Sequence, residues 1–187
     1  IIKNVIIPLL GLHNIKNATS ALAVAFSIGV SDRIIKSGLK NFKGVQRRFN
    51  YLYEINNIPF FDDYAHHPTE ISSVLEGVRK VYKKEKIICI FQPHRISRLK
   101  YLKIEFSKCF IKSNVVILCP IYKAGENIKL GFSYTKFAQS IAKNSKVEII
   151  LIKNEIELKK VIKNIAFGDK IFIGMGAGSI SNWMRNI

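Results

Sequence analysis

Two groups of side chains that could do chemistry follow two apolar runs of the sequence, Ile58–Phe61 and Ile87–Phe91. An arginine guanidinium matches the paired oxygens of a carboxylate or phosphate, and a histidine changes its charge near neutral pH. These residue types indicate a site for an oxyanion. The side chains concerned are Asp63, Tyr64, His66, His67, His94, Arg95 and Arg98.

The elements around these residues would bring the two groups together. Ile87–Phe91 has no polar residue except Cys89, which is typical of a strand covered on both faces. Pro68–Thr69–Glu70 favours the start of a helix between the two runs, because proline fits the first turn of a helix. In open α/β sheets, ligands bind beyond the carboxyl ends of the strands. We therefore expect both groups at one edge of a sheet.

The rest of the chain after residue 48 continues this alternation. Asn56–Asn57 separates two strand-like runs and predicts a hairpin. Alternating strands and helices predict an α/β fold, a mainly parallel sheet with helices on both faces. Strands are predicted at Phe49–Ile55, Ile58–Phe61, Ile87–Phe91, Val115–Cys119, Val147–Ile152 and Lys170–Gly174. Helices are predicted from Pro68, around Leu99–Phe110, Tyr134–Lys143 and Glu155–Ile165, and from about Ser179.

The first 45 residues have a different pattern. Residues 1–10 predict a strand stopped by Pro8, and a helix rich in small residues follows Asn17. Ser31–Asp32 predicts the cap of a second, short helix. A connector with a glycine and paired arginines then follows, and we place a domain boundary near Gly44.

The net charge of +17 allows two interpretations. One is a partner rich in phosphate, which would make the chain a basic nucleic-acid-binding α/β module. The other is a compositional bias, with lysines spread over solvated surfaces. The positive charge is scattered from Lys3 to Lys170, with no run of five like charges. This distribution favours the second interpretation, and neither nucleic acid nor membrane is expected as a partner.

The three cysteines lack the spacing of a metal site or a disulfide framework, which indicates buried thiols in a reducing cytoplasm. The most apolar segment, Ala21–Val30, is far shorter than the roughly 20 residues that span a membrane. The first residues form no signal peptide and begin without methionine, so we interpret the chain as a fragment.

Two motifs have ordinary alternatives. Gly174–Gly178 could cradle an anion at a helix start, but a tight turn from strand to helix explains it equally well, since Ser179 replaces the last glycine of a dinucleotide fingerprint. His66–His67 could suggest zinc, yet adjacent residues point apart and no metal is expected.

We favour oxyanion binding for Arg47–Arg48. The sequence has no P-loop, so nothing here grips the terminal phosphates of ATP unaided.

Six motifs in order resemble the Mur ligases. They are GLHNIKNA at 11–18, GVQRRF at 44–49, DDYAHHPTEI at 62–71, FQPHR at 91–95 with Arg98, YKAGE at 122–126 and GAG at 176–178. The resemblance covers essentially the whole chain. It implies that residues 1–45 are the tail of the family's central, ATP-binding domain, a short α/β remnant. It also implies that residues 46–187 are the Rossmann-like C-terminal domain.

The resemblance further implies an ATP-dependent ligase of cell-wall synthesis that joins L-alanine to UDP-N-acetylmuramate through an acyl phosphate. Its partners would be UDP-N-acetylmuramate, L-alanine, ATP with Mg²⁺, and the rest of the same polypeptide, which would hold most metal ligands. Asn17, with Asn14 nearby, would contact adenine, Asp63 the ribose and Arg48 the phosphates. By the same resemblance, His94, Arg95 and Arg98 would bind the carboxylate of the amino acid, and Tyr64 and His67 would line the cleft. The catalytic residues would be Arg48, His67 and His94.

Two positions depart from the family pattern. Ala65 stands where glycine is common in the family. Alanine at this position resembles the related ligase that attaches whole peptides to recycled UDP-muramate, and that activity is the alternative within the family. The P-H-R-x-x-R motif at 93–98 argues against it. Ser179 stands where an aspartate usually follows G-A-G.

Overall fold

The computed structural model describes residues 2–9, 11–126 and 132–187. The chain forms two compact units, residues 1–46 and residues 47–187, and each is described by itself.

The first unit contains two helices, α1 (Leu12–Ser27) and α2 (Asp32–Asn41). The strand predicted for residues 1–10 is absent from the described residues 2–9, so the expected α/β remnant is helical over the part the structure describes. A strand needs a paired neighbour to satisfy its backbone, and the described part of this unit offers none. Helix α1 starts five residues before Asn17, at Leu12.

The second unit is built on a six-stranded sheet with the order β1-β2-β6-β3-β4-β5. Strands β2 to β6 are parallel to one another, and the edge strand β1 is antiparallel to β2. This confirms the mainly parallel sheet predicted from the sequence. The strands are β1 (Asn50–Ile55), β2 (Ile58–Asp63), β3 (Lys86–Phe91), β4 (Val115–Leu118), β5 (Glu148–Leu151) and β6 (Lys170–Met175).

A two-residue turn joins β1 to β2. Asn56 and Asn57 have φ of 52° and 63°, the left-handed conformation that asparagine tolerates and a tight hairpin requires. The turn pairs Asn50 with Asp62, so the start of β1 lies beside the end of β2. Strand β2 runs through Asp62 and Asp63, two residues beyond the expected stop at Phe61.

In the described part of this unit, six helices pack around the sheet. The helix predicted around residues 99–110 is divided into α4 and α5, because Leu102 has φ −107° and ψ 30° and interrupts the helical path. The helices are α3 (Pro68–Val81), α4 (Ile96–Tyr101), α5 (Lys103–Lys108), α6 (Tyr134–Ser145), α7 (Glu155–Ile165) and α8 (Ile180–Arg185).

The core has two layers, one on each face of the sheet. One layer contains the apolar side chains of α3 to α6, such as Leu75, Phe106 and Phe137. The other contains those of α7 and α8, such as Leu158 and Met184. The β3 residues from Ile87 to Phe91 are at most 1% exposed, since both faces of the strand are covered. The predicted helices on both faces are thus confirmed.

Within the described ranges, no helix combines the length and apolar character needed to cross a bilayer.

Candidate active site

The loops after β2, β3 and β6 meet at one edge of the sheet. Strand β6 lies between β2 and β3, and Met175 pairs with Asp63 on one side and Phe91 on the other. The backbone N–H of Gln92 donates to Met175, and that of Gly176 donates to Asp63. The strand order departs from the chain order here, because β6 lies between β2 and β3. Open α/β sheets bind their ligands at such a point, beyond the carboxyl ends of the strands.

Four aromatic rings form a row at this edge. The Tyr64 ring lies edge-on to His66, with centroids 5.2 Å apart, and His66 lies edge-on to His94 at 5.7 Å. The His94 ring in turn stacks on Tyr122 at 5.7 Å. The row joins the loops after β2, β3 and β4 into one surface.

Arg98 and Arg95 flank His94. The Arg98 guanidinium lies 3.4 Å from Nδ1 of His94, one turn along α4. The Arg95 side chain is exposed, and its backbone is fixed by a φ of 67° and by an N–H···O bond of 3.1 Å to Tyr122. Burial lowers the pKa of His94, and the charges of Arg98, His66 and Arg95 lower it further. The two guanidinium groups beside this imidazole suit an anionic ligand.

The two adjacent histidines have different partners. His67 is the N-cap of α3, where its Nδ1 accepts the Thr69 N–H at 3.4 Å, and Glu70 accepts the N–H groups of both histidines. The His66 ring lies edge-on to His94, and its Nδ1 is 2.9 Å from the Tyr64 carbonyl oxygen and 3.5 Å from Oε2 of Glu70. The sequence predicts His67 in the cleft; the structure places His67 at the cap of α3 and His66 next to His94.

Asp63 is 2% exposed and ties two loops together. Its Oδ1 accepts the N–H of Ala65 at 2.7 Å, and its Oδ2 accepts that of Phe49 at 2.8 Å. Burial raises the pKa of Asp63 to about 6, although the two N–H groups and the charge of Arg48 oppose the rise. The carboxylate holds the backbone just after Arg48 against the loop after β2.

The paired arginines are used differently. The Arg48 side chain is exposed, and its charge opposes the rise in the pKa of Asp63. Hydrogen bonds from the backbone of His66 and His67 lower the pKa of Glu70, and the charge of Arg48 adds to this, so Arg48 stands beside the candidate site. The Arg47 guanidinium instead lies over the Tyr64 ring, donates to the Gly176 carbonyl and faces Asp62. Of the two arginines expected to bind an oxyanion, Arg48 is exposed, whereas Arg47 is half-buried and held by contacts within the protein.

Asp62 is a buried acid that the sequence reasoning missed. It is fully buried, its Oδ2 accepts a hydrogen bond from Ser181, and Arg47 and Arg185 each approach to 3.7 Å. Its position beside Asp63 gave no indication of this role, because Ser181 and Arg185 come from the far end of the chain.

The glycine loop after β6 is a packed turn. A Cβ on Gly178 would lie 2.5 Å from both the Gln92 side chain and the Tyr122 ring. The Gln92 amide oxygen accepts the Ile180 N–H at 3.0 Å, and its amide nitrogen donates to Ser179. Because Gln92 takes the helix start that an anion would need, the geometry favours the tight turn.

The three cysteines are buried, and burial raises the pKa of each thiol. They are therefore poor nucleophiles. In residues 2–9, 11–126 and 132–187, no three histidine, cysteine or acidic side chains gather as metal ligands. In the first unit, Asn17 is exposed on α1 and Asn14 is half-buried.

Comparison with known proteins gives a consistent family. Residues 47–178 match the family described as Mur ligase, glutamate ligase domain. The UDP-N-acetylmuramate–L-alanine ligase of Pelagibacter ubique is 62% identical over 186 residues, which cover 100% of this chain and 40% of that protein. The chain thus spans about 40% of the length of this curated relative.

Solved structures agree with the sequence comparison. The UDP-N-acetylmuramate-alanine ligase of Thermotoga maritima superimposes with a TM-score of 0.77 at 30% identity, over 96% of this chain and 38% of that one. The murein peptide ligase of Psychrobacter arcticus gives 0.69 at 23% identity, over 98% and 39%, which shows the shared fold.

Proposed function

The chain belongs to the Mur ligase family, and on that premise we propose that it is the C-terminal part of an ATP-dependent UDP-N-acetylmuramate–L-alanine ligase of the cytoplasm. In this reaction the muramate carboxylate takes the γ-phosphoryl group of ATP and releases ADP. The amine of L-alanine then attacks the acyl phosphate, forms the amide and releases inorganic phosphate. The relatives that carry this name and match 100% and 97% of this chain support the proposal.

The observation that carries the proposal is the row of rings beside Arg95 and Arg98. We assign the amino-acid carboxylate to the two guanidinium groups and to His94, with Tyr64 and Tyr122 bounding a small cleft. His66 takes the place in that cleft first given to His67, because its ring contacts His94. A carboxylate fixed in this way directs the amine of the same molecule, and the enzyme gains rate by positioning.

The remaining polar side chains of the predicted site account for part of an ATP-binding site. In the second unit, the exposed Arg48 would bind phosphate oxygens. The first unit, taken by itself, offers the exposed amide of Asn17, with Asn14, to an adenine edge. Asp63 fits its proposed ribose less simply, because both carboxylate oxygens already accept backbone N–H groups. We assign Asp63 first to holding the Arg48 loop, and its remaining lone pairs to the ribose hydroxyls. Mg²⁺ would neutralise phosphate charge, with most of its ligands outside this chain.

The experiment is a coupled assay with the full-length protein. ATP, UDP-N-acetylmuramate and either L-alanine, glycine, L-serine or the L-alanyl tripeptide are supplied, and products are identified by mass spectrometry. We expect ADP, phosphate and UDP-N-acetylmuramoyl-L-alanine. The 187-residue chain alone should give no product, because it has no P-loop. Preferred use of the tripeptide would instead favour the peptide-adding alternative, and the absence of any ATP-dependent product would reject both.

A further inference from the structure

The Arg47 side chain connects three parts of the second unit. Its guanidinium carbon lies 4.8 Å from the centroid of the Tyr64 ring, Nη2 donates to the Gly176 carbonyl, and Nε lies 3.7 Å from Oδ2 of Asp62. The backbone adds a fourth link, since the Arg47 carbonyl accepts the Tyr64 N–H at 2.7 Å. Both the chain and the side chain of Arg47 therefore fix Tyr64.

Asp62 explains why the guanidinium stays in this place. The carboxylate is fully buried, so it requires positive charge and hydrogen bonds nearby. Arg47 and Arg185 both approach its Oδ2 to 3.7 Å, and Ser181 donates to it. Arg185 also donates to Ser181 at 2.8 Å, and none of its described contacts reaches Tyr64. The two arginines share one acid, but only Arg47 extends to the row of rings.

We propose that Arg47 is a positioning residue, which sets the Tyr64 ring and through it the amino-acid cleft; this rests on the proposed function. A guanidinium is flat, so it covers an aromatic face while its edge donates to Gly176 and faces Asp62. Lysine has a single ammonium group and cannot do all three. Tyr64 lies edge-on to His66, and His66 to His94, so a displaced Tyr64 ring would disturb the contact at His94.

Kinetics of the full-length protein test the functional part. Arg47→Gln should raise the KM for the amino acid about tenfold, the order expected from a lost cation–π contact, with the KM for ATP nearly unchanged. Arg185→Gln is the matched control. It removes a second ion pair to Asp62 of the same 3.7 Å length and leaves Tyr64 untouched. Equal effects of the two variants, or an Arg47→Gln effect on ATP alone, would overturn the proposal.

A spectroscopic measurement tests the structural part without any turnover. In the full-length protein labelled with 3-fluorotyrosine, Tyr64→Phe identifies the ¹⁹F signal of Tyr64. That signal should move or broaden in Arg47→Gln and stay in place in Arg185→Gln. An unmoved signal in Arg47→Gln refutes the positioning role. A moved signal together with an inactive wild-type full-length protein would instead reject the proposed function and keep the positioning role.

Arg47→Gln leaves Asp62 with one arginine fewer, which could unfold the protein. The double variant Arg47→Gln with Asp62→Asn removes the buried charge as well. We expect it to fold and still to show the displaced Tyr64 signal, because the cause is the missing guanidinium. A double variant with the wild-type Tyr64 signal would show that Asp62, and not Arg47, controls the ring.

Discussion

The carboxylate of Glu126 accepts two hydrogen bonds from Ser97, one from its backbone N–H at 3.1 Å and one from its hydroxyl. These bonds lower the pKa of Glu126, the hydroxyl bond being the largest cause. Ser97 lies in the first turn of α4, between Arg95 and Arg98. A residue from the loop after β4 thus holds the segment that carries both arginines.

Loss of this contact should weaken amino-acid binding. In the full-length protein, Glu126→Ala should raise the KM for alanine about fivefold, because the start of α4 loses its cap. Glu126→Gln keeps one acceptor and should have a smaller effect. Glu105→Ala, at another α-helix start, is the control, and a change there of equal size would contradict this explanation.

Arg95→Lys tests the carboxylate site directly. Each arginine supplies charge-assisted hydrogen bonds whose forked geometry lysine cannot copy. The KM for alanine should rise on the order of ten- to a hundredfold, for a loss of about 1.5–3 kcal/mol. The KM for ATP should change little, which steady-state kinetics with each substrate varied separately will show. The exposed Arg33→Lys is the control. If the defect concerns ATP alone, the loop binds a different substrate.

Asp63 should make folding stability depend on pH in an unusual direction. Its pKa of about 6 in the folded chain exceeds the ordinary 3.8, so the folded state binds the proton more tightly than the unfolded state. Stability from this residue is therefore present below pH 3.8 and is lost as the pH rises through 6. The difference corresponds to about 3 kcal/mol.

Asp63→Asn cannot ionise and removes this dependence. Urea unfolding at pH 4, 5, 6 and 7 should show the variant gaining stability relative to wild type as the pH rises. The exposed Asp169→Asn is the matched control and should run parallel to wild type. A constant difference between wild type and Asp63→Asn would contradict the raised pKa.

Gly176 should not tolerate a side chain. It has a φ of 148°, and a Cβ there would lie 2.7 Å from the Gln92 carbonyl oxygen. Gly176→Ala should cost about 3 kcal/mol or more, since backbone strain and overlap add. Gly168→Ala also has a positive φ but no atom within 4 Å of the new Cβ, and should cost about 1 kcal/mol. Equal losses in denaturant unfolding would rule out the role of Gln92.

The charge of +17 should produce only nonspecific binding to nucleic acids. Fluorescent single- and double-stranded oligonucleotides should bind weakly and dissociate between about 50 and 200 mM salt, as phosphate contacts do. Sequence-selective binding at the higher salt concentration would support the nucleic-acid module instead.

The sheet was predictable because its strands are short apolar runs separated by helix starts, as at Ile87–Phe91 and Pro68. The hairpin at Asn56–Asn57 was predictable for a similar local reason. The end of β2 was not, because Asp62 depends on partners from distant positions: Ser181 donates to it, and Arg47 and Arg185 lie 3.7 Å from it. The different positions of the two histidines were not predictable either, because the cap at His67 depends on the exact start of α3 and the contact of His66 depends on a distant residue, His94.

Because β1 is antiparallel to β2, the residues that lead into β1 arrive at the carboxyl ends of the parallel strands. The limits of the secondary structure therefore do not show where an N-terminal truncation of this protein can begin. A shorter protein that begins at Asn50 would keep strands β1 to β6 and helices α3 to α8, yet lose Arg47 and Arg48. Its site would lack the phosphate contact proposed for Arg48, and Asp62 would keep Arg185 but not Arg47 beside it. Chemistry at the strand ends, and not the first strand, sets the N-terminal limit of this domain.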